Sequence, residues 1–208
     1  MHKTVDNYLA AKNILMNAGF DEEIRWQNEL SFSGISETDL LRESAWVILS
    51  SGMRETVIRM KFPSFSEAFF DWSNAKLIIT QSNKCERRAK KIFNHHGKIK
   101  AILKFAEVLN RMGCYDFKAT LRNEGVSFIR TLPYMGPATS YHFAKNIGLN
   151  EVKPDRHLSR VAQCAGYENP RLLCEDISRA TGDKISVVDL VIWRFATVTP
   201  NYIEYFTK

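Results

Sequence analysis

Apolar residues recur at intervals of three and four along most of this chain, and this spacing restricts its fold more than any other feature. Tyr8, Ala11, Leu15 and Ala18 show it near the N-terminus, where Gly19 is well placed to end a helix. Alternation of apolar and polar residues, which is typical of a half-buried strand, is scarce. The sequence therefore predicts an all-α fold.

Local helix signals predict where further helices begin. Ser36 with Asp39 has the form of a capping box for a helix that runs to Gly52. The segment Ser64–Glu67 is predicted to open a short helix that carries Trp72. Other helices are predicted at residues 84–93, 98–112, 115–122, 124–131, 137–146, 156–165 and 186–197.

Length, charge and cysteine content limit the possible domain organisation, partners and location of the protein. A chain of 208 residues can form one large domain or two small lobes. Its net charge of +6 suits a polyanionic partner. No apolar run reaches the roughly 18 residues of a membrane span, and the first residues lack a signal-peptide pattern, so we expect a cytoplasmic protein without a membrane partner. Four cysteines occur at irregular spacing and predict reduced thiols rather than a zinc site: Cys85, Cys114, Cys164 and Cys174.

Two short segments carry the strongest functional signal. The first, Leu132–Thr139, reads as a tight hairpin that opens a helix, and Gly136 permits a backbone conformation or a close approach that a side chain would block. The amides from Met135 to Thr139 then lie at a helix N-terminus, which favours an anion. The second segment begins sixteen residues after Thr139, where Asp155 is a suitable N-cap for the following helix.

Together these segments resemble the helix-hairpin-helix DNA glycosylase superfamily, which includes endonuclease III, the adenine-mismatch glycosylase and the alkylbase glycosylases. Its hairpin typically reads Leu-Pro-Gly-Val/Ile-Gly-x-x-Thr-Ala, and its catalytic loop typically ends Val-Asp-x-His-Val/Ile-x-Arg-Val/Leu. The sharp resemblance covers residues 125–165, with a looser one at Ala45–Ser50. The chain matches the two motifs at Leu132, Pro133, Gly136, Thr139, Asp155, His157, Arg160 and Val161.

The resemblance implies an architecture and a partner. It implies one helical lobe from residues 1–30 and 150–208, a second from 31–149 with the helix-hairpin-helix at about 124–147, and a DNA-binding cleft between them. It implies a monomer that binds double-stranded DNA and lies on the nucleoid when bound. The hairpin would hold a DNA phosphate, sometimes through a monovalent cation. An iron–sulfur cluster, which some members carry on four closely spaced cysteines, is not expected. The implied backbone-binding residues are Tyr134, Met135, Gly136, Ala138 and Thr139.

The resemblance also implies a reaction. Cleavage of an N-glycosidic bond builds positive charge on the deoxyribose, and a nearby carboxylate stabilises it or orients the attacking water. Asp155 would act in one of these two ways. Family members that also nick DNA carry a nucleophilic lysine where this chain has Ala138, so a monofunctional glycosylase that leaves an abasic site is implied. The alternatives are a lyase that uses Lys145 or Lys153, although surface or phosphate-facing positions are expected for both, and a non-catalytic DNA-binding module.

Several residues have two interpretations. Tyr134 replaces the first glycine of the family hairpin, and we expect a reshaped hairpin with Tyr134 against the backbone or packed inward, because a left-handed conformation would strain it. His157 either supports proton transfer or, as we expect, bonds the loop backbone. Trp46 and Tyr141 are candidates for the pocket of a flipped base, although helical aromatics commonly belong to a core. Asp189, in an apolar stretch, is expected at a wet helix edge or in a pair, with support of the site as the alternative.

A run of basic residues is either a solvated helix face or a track for DNA phosphates, whose binding would depend strongly on salt. Its members are Lys84, Arg87, Arg88, Lys90, Lys91, Lys98, Lys100 and Lys104, with His95 and His96 between them.

Overall fold

The computed structural model describes residues 2–207, and the side chains of residues 3–206. Every regular element in this part of the chain is a helix, so the prediction of an all-α fold is confirmed. Short π or 3-10 turns lie at Met16–Phe20, Phe32–Gly34 and Phe70–Trp72. The α-helices are α1 His2–Leu15, α2 Asp21–Glu29, α3 Glu37–Ser50, α4 Glu55–Ala68, α5 Ala75–Thr80, α6 Ser82–Ile92, α7 His96–Met112, α8 Cys114–Glu124, α9 Val126–Ile129, α10 Pro137–Asn146, α11 Arg156–Cys164, α12 Pro170–Thr181, α13 Ile185–Val198 and α14 Tyr202–Thr207.

The chain divides into two compact units. The first unit comprises Met1–Ser31 and Gly148–Lys208, and the second comprises Phe32–Ile147. The first thus contains α1, α2 and α11–α14, whereas the second contains α3–α10. Within the described residues, no helix combines the length and the apolarity that a membrane crossing requires.

The core of the first unit is built around α13. This helix is apolar on nearly every side, which is typical of a helix in an interior. It packs against α1, α2, α11 and α12. Its central residues Val188, Val191 and Ile192 are fully buried. A polar side chain in the buried part of α13, such as Asp189, therefore needs a hydrogen-bond partner.

The core of the second unit centres on α3 and α7. The predicted capping box of α3 is present: the Asp39 amide donates to Ser36 Oγ at 3.1 Å, and the Ser36 amide donates to Asp39 Oδ2 at 3.0 Å. Leu41, Ile48 and Leu49 of α3 are buried, and the helix packs against α4, α7 and α10. The carboxyl end of α3 and the amino end of α10 thereby belong to one packed unit.

The predicted helix start at Ser64–Glu67 is wrong, because this segment lies inside α4, which continues through Pro63. Ile58, Phe65 and Phe69 are buried on one side of that helix, so the apolar face runs through the proline. Burial of this face outweighs the local break that a proline favours.

Trp72 does not belong to a helix that begins in this segment either. It ends a turn in which Phe70, Asp71 and Trp72 all have positive φ angles, of 55°, 50° and 60°. The Trp72 ring is buried, and its Nε1 donates to Ser66 Oγ at 2.8 Å. Burial of the ring therefore stabilises a turn whose positive φ angles are unfavourable for its three non-glycine residues.

Candidate functional site

The hairpin segment joins α9 to α10 within the second unit. Leu132 and Met135 are buried, and the Met135 amide donates to the Leu132 carbonyl at 3.2 Å. The Thr139 hydroxyl lies 3.2 Å from both the Tyr134 and the Gly136 carbonyl oxygens. Helix α10 begins at Pro137, as the sequence predicts. The two buried side chains therefore attach a tight turn to the core while its outer backbone stays accessible.

Gly136 is not needed for an unusual backbone conformation, contrary to one of the two reasons considered from the sequence. Its φ is −74° and its ψ is −175°, an extended geometry open to any residue. A Cβ atom at this position would meet only Thr139 Oγ1, at 3.8 Å. No other part of the chain fills the space beside Gly136. Of the two reasons for a glycine, the one that remains is the close approach of another molecule to this backbone.

The start of α10 offers unpaired donors. No side chain caps this helix, and Pro137 has no N–H group. Within the described residues, the amides of Ala138 and Thr139 have no hydrogen-bond acceptor. Gly136, Pro137 and Ala138 are exposed. Such a helix N-terminus favours an anion through its free N–H groups and its dipole.

Tyr134 keeps a left-handed conformation, so the expected reshaping of the hairpin is wrong. Its φ is +65°, and 43% of the residue is exposed. The buried neighbours Leu132 and Met135 hold the turn, and the tyrosine between them takes the strained geometry. Its ring lies at the edge of the hairpin, partly exposed and partly over the buried Lys98.

Lys98 supports this region from inside, and its assignment to an exposed basic run is wrong. It is only 2% exposed. Its Nζ donates to the carbonyl oxygens of Leu49, at 2.6 Å, and of Ser51, at 2.5 Å, and lies 5.8 Å from the centre of the Tyr134 ring. Burial lowers the pKa of the Lys98 side chain. The lysine thus joins the carboxyl end of α3 to the hairpin, and no local sequence signal distinguishes it from its exposed neighbours.

An open groove of about 630 Å³ lies along the hairpin. Arg130 is exposed and adds a positive charge to its wall. Unpaired amides, a guanidinium group and a tyrosine ring therefore border the same groove. The lining residues are Ser51, Arg130, Leu132, Tyr134, Met135, Gly136, Pro137, Ala138 and Thr139.

Asp155 lies in the first unit and caps α11, which confirms the predicted N-cap. Its Oδ1 accepts the amide hydrogens of His157, at 2.9 Å, and Leu158, at 3.0 Å. Among the described residues, none donates a hydrogen bond to Oδ2. The residue is half-buried. One carboxylate oxygen is therefore committed to the helix, and the other is open to a ligand.

His157 pairs with a side chain rather than with the loop backbone, which corrects the expectation. Its Nδ1 lies 2.9 Å from the Tyr202 hydroxyl, and the two rings are 5.3 Å apart. Burial lowers the pKa of His157; Arg156 and other nearby cations add to this effect, whereas Asp155 opposes it. The shift favours the neutral form of the imidazole. Tyr202 was missed from the sequence because 45 residues separate the two partners.

Asp189 is paired, in line with one of its two expected environments. It is only 1% exposed, and its Oδ2 accepts the Lys153 amide hydrogen at 2.5 Å. The carboxylate therefore contacts the loop that leads to Asp155.

The two candidate base-pocket residues lie in the second unit. Trp46 is half-buried on α3, with the Phe62 ring 5.2 Å away at its edge and the Arg59 guanidinium 5.5 Å from its centre. Tyr141 is half-buried on α10, one turn after Ala138. Lys145 on the same helix is only 6% exposed, so the expected surface position for this lysine is wrong.

Glu43 is a buried carboxylate whose environment was not predicted from the sequence. Its Oε2 accepts from Asn146 Nδ2 at 3.0 Å, and its Oε1 accepts from Arg42 Nε at 3.0 Å. Burial raises its pKa, although Arg42 and Asn146 act in the opposite direction. The pair with Asn146 joins α3 to the carboxyl end of α10.

Part of the predicted basic run forms one exposed face of α6. Lys84, Arg87, Arg88 and Lys91 are exposed and follow the three-and-four spacing of a helix face. Lys90 instead pairs with Glu86 at 2.8 Å.

In the part of the chain that the structure describes, no three His, Cys, Asp or Glu side chains cluster in a way that could hold a metal ion. The four cysteines are free thiols. Comparisons of the chain with models of protein families, with curated proteins and with solved structures return no match.

Proposed function

We propose that this protein is a monofunctional DNA glycosylase of the helix-hairpin-helix superfamily. It would hydrolyse the N-glycosidic bond of a damaged, mismatched or modified base after that nucleotide has left the duplex stack, and so leave an abasic site. The observation that carries the proposal is the geometry of Asp155: Oδ1 is held by two amides of α11, and Oδ2 is open.

The hairpin supplies the proposed backbone anchor. A DNA phosphate would bind the free amides of Ala138 and Thr139, close to Arg130, where the bare Gly136 admits it. The Tyr134 and Gly136 carbonyl oxygens converge on one hydroxyl, and such oxygens would also fit a monovalent cation beside the phosphate. This contact positions DNA without reading its sequence.

Asp155 supplies the proposed chemistry. As the base departs, positive charge develops on the deoxyribose, and the open carboxylate oxygen would stabilise that charge or orient the attacking water. Ala138 lies in the hairpin groove and carries no nucleophile, whereas Lys145 is buried. These positions favour hydrolysis over a lyase reaction that proceeds through a lysine of α10.

The remaining assignments rest on the resemblance to the family. We propose a monomer that binds double-stranded DNA in a cleft between two helical lobes, without an iron–sulfur cluster, in the cytoplasm or on the nucleoid. Trp46 and Tyr141 would face the flipped base. The substrate class includes alkylated purines and enlarged or modified pyrimidines, such as those of phages, in the context of repair or of defence against foreign DNA.

Base release tests the proposal directly. Wild type, Asp155→Asn and Gly136→Glu would be incubated with duplex DNA that carries methylated purines, deaminated and oxidised bases, or hydroxymethylated pyrimidines, and the freed bases identified by mass spectrometry. Asparagine caps helices as well as aspartate does, so Asp155→Asn should stay folded and bind DNA. Its base release should fall by on the order of 10²–10⁴. Gly136→Glu should weaken binding to every duplex, because it obstructs the phosphate.

Three results would overturn parts of the proposal. An unchanged rate in Asp155→Asn would remove Asp155 from the chemistry. Borohydride trapping of a covalent DNA complex would replace the hydrolytic reaction with a lyase that uses Lys145 or Lys153. Binding of DNA without release of any base would indicate a non-catalytic module.

A further inference from the structure

A carboxylate lies buried on the most apolar helix of the first unit. Asp189 lies in the first half of α13, between the buried residues Val188 and Leu190. A carboxylate in such surroundings is costly unless it is hydrogen-bonded. Its Oδ2 accepts the amide hydrogen of Lys153, which is 36 residues away in the chain. The acid therefore contacts backbone of the loop that precedes Asp155.

The backbone of Lys153 is held at both its N–H and its carbonyl group. The N–H donates to Asp189, and the carbonyl oxygen accepts the Asp155 amide hydrogen at 2.7 Å. A continuous path of two hydrogen bonds thus leads from the core helix to the N-cap of α11. Asp155 Oδ1 is held in turn by the His157 and Leu158 amides.

Two further contacts attach the same loop to the core. The Ser186 amide, at the start of α13, donates to Asn150 Oδ1 at 3.2 Å. Val152 is buried with the apolar residues of the first unit. The loop is therefore attached to the core before Lys153 and at Lys153, which restricts the position of Asp155 two residues later.

We propose that Asp189 is a positioning residue for Asp155. By holding the Lys153 peptide, it sets the direction in which the open Oδ2 of Asp155 points. This inference rests on the proposed glycosylase function, because only a reaction at Oδ2 makes that direction matter. A displacement of about 1 Å in a reacting group can lower a rate on the order of 10²-fold.

Substitutions at Asp189 can separate positioning from simple stability. Asp189→Leu suits the apolar surroundings and removes the acceptor, whereas Asp189→Asn keeps an oxygen for the Lys153 amide. Asp189→Ser is a second variant, for use if Asp189→Leu does not fold, because the serine hydroxyl is too short to reach the Lys153 amide. Asp183→Leu is the matched control, since Asp183 also lies in the first unit but accepts its hydrogen bonds from Tyr8 and Lys12 of α1.

The measurements are the single-turnover rate of base release from the duplex pool, the Kd for the same duplexes, and hydrogen exchange of the Lys153 amide. We expect Asp189→Leu to release base about 10–100-fold more slowly, with a Kd within about threefold of wild type and faster Lys153 exchange. Asp189→Asn should restore the rate to within about fivefold of wild type. Asp183→Leu should lower Tm and leave the rate unchanged.

The outcomes distinguish this inference from the proposed function. A wild-type rate in folded Asp189→Leu, or unchanged exchange of Lys153, would overturn the positioning role and leave the glycosylase proposal intact. Slow release in Asp189→Asn as well would mean that the charge, rather than the loop contact, is what matters, and would also overturn it. If wild type releases no base from the pool, both proposals fall together.

Discussion

The buried lysine beneath the hairpin allows a quantitative test of the second unit. Lys98→Met keeps a long side chain and removes the donors that reach the Leu49 and Ser51 carbonyl oxygens. A buried acceptor left without a partner costs roughly 1–3 kcal/mol. Here the Leu49 carbonyl is buried and the Ser51 carbonyl is part-buried, and both lose their donor. Part of that cost is offset because methionine also removes the unfavourable burial of a charge.

We therefore expect Lys98→Met to lower the free energy of unfolding by about 2–3 kcal/mol, which corresponds to a decrease in Tm of roughly 5–10 °C for a chain of this size. Urea unfolding followed by far-ultraviolet circular dichroism measures the free energy. Lys100→Met is the matched control, because Lys100 is exposed on the same helix and should change stability by no more than about 0.5 kcal/mol. If Lys98→Met were as stable as Lys100→Met, the two carbonyl contacts would have no net stabilising effect and the reasoning would be refuted.

Two other predictions concern the hairpin and the start of α11. Tyr134→Gly should be more stable than Tyr134→Ala by about 0.5–1 kcal/mol, because both lose the ring but only alanine keeps the cost of a positive φ; thermal unfolding measures this difference. At exposed Lys104 in α7, the alanine variant should instead be more stable than the glycine variant by roughly 1 kcal/mol. If alanine were the more stable variant at both positions, the positive φ of Tyr134 would not be strained. His157→Gln should reduce the pH dependence of stability. The unfolded chain takes up a proton near the ordinary histidine pKa of about 6.5, whereas the folded chain, whose His157 pKa is lowered, does so only at lower pH, so wild-type stability decreases as pH falls through this range. The stability of wild type relative to His157→Gln should thus be smaller at pH 5 than at pH 7.5, and a constant difference would show that the histidine does not contribute.

Local signals in the sequence predicted the features that depend on neighbouring residues. The Ser36–Asp39 capping box, the proline at the first position of α10 and the Asp155 N-cap all arise within three residues along the chain. In these cases, the groups that bond are brought together by the helix turn itself. Helix periodicity likewise predicted an all-α protein, because the buried face of a helix repeats within a few residues.

Other helices were missed although weaker local signals were present. Asn169 caps α12 directly before Pro170, and Asn74 caps α5. The apolar spacing of α12 is regular, with Pro170, Leu173, Cys174 and Ile177 buried on one face, whereas α5 has only 6 residues over which such a spacing can show. In α4 the local signal was misleading, since Pro63 lies within a continuous apolar face that the core buries.

The details of the candidate site were decided by tertiary structure. Lys98 resembles every other lysine of its basic run, yet the carboxyl end of α3 lies above it and accepts its hydrogen bonds. Tyr134 takes a left-handed conformation because its buried neighbours hold the turn. Asp189 and His157 find partners 36 and 45 residues away. The sequence by itself therefore determined which segments are helical and which residues begin them, because those interactions are local. The environment of each functional side chain depends on segments that become neighbours only when the helices pack.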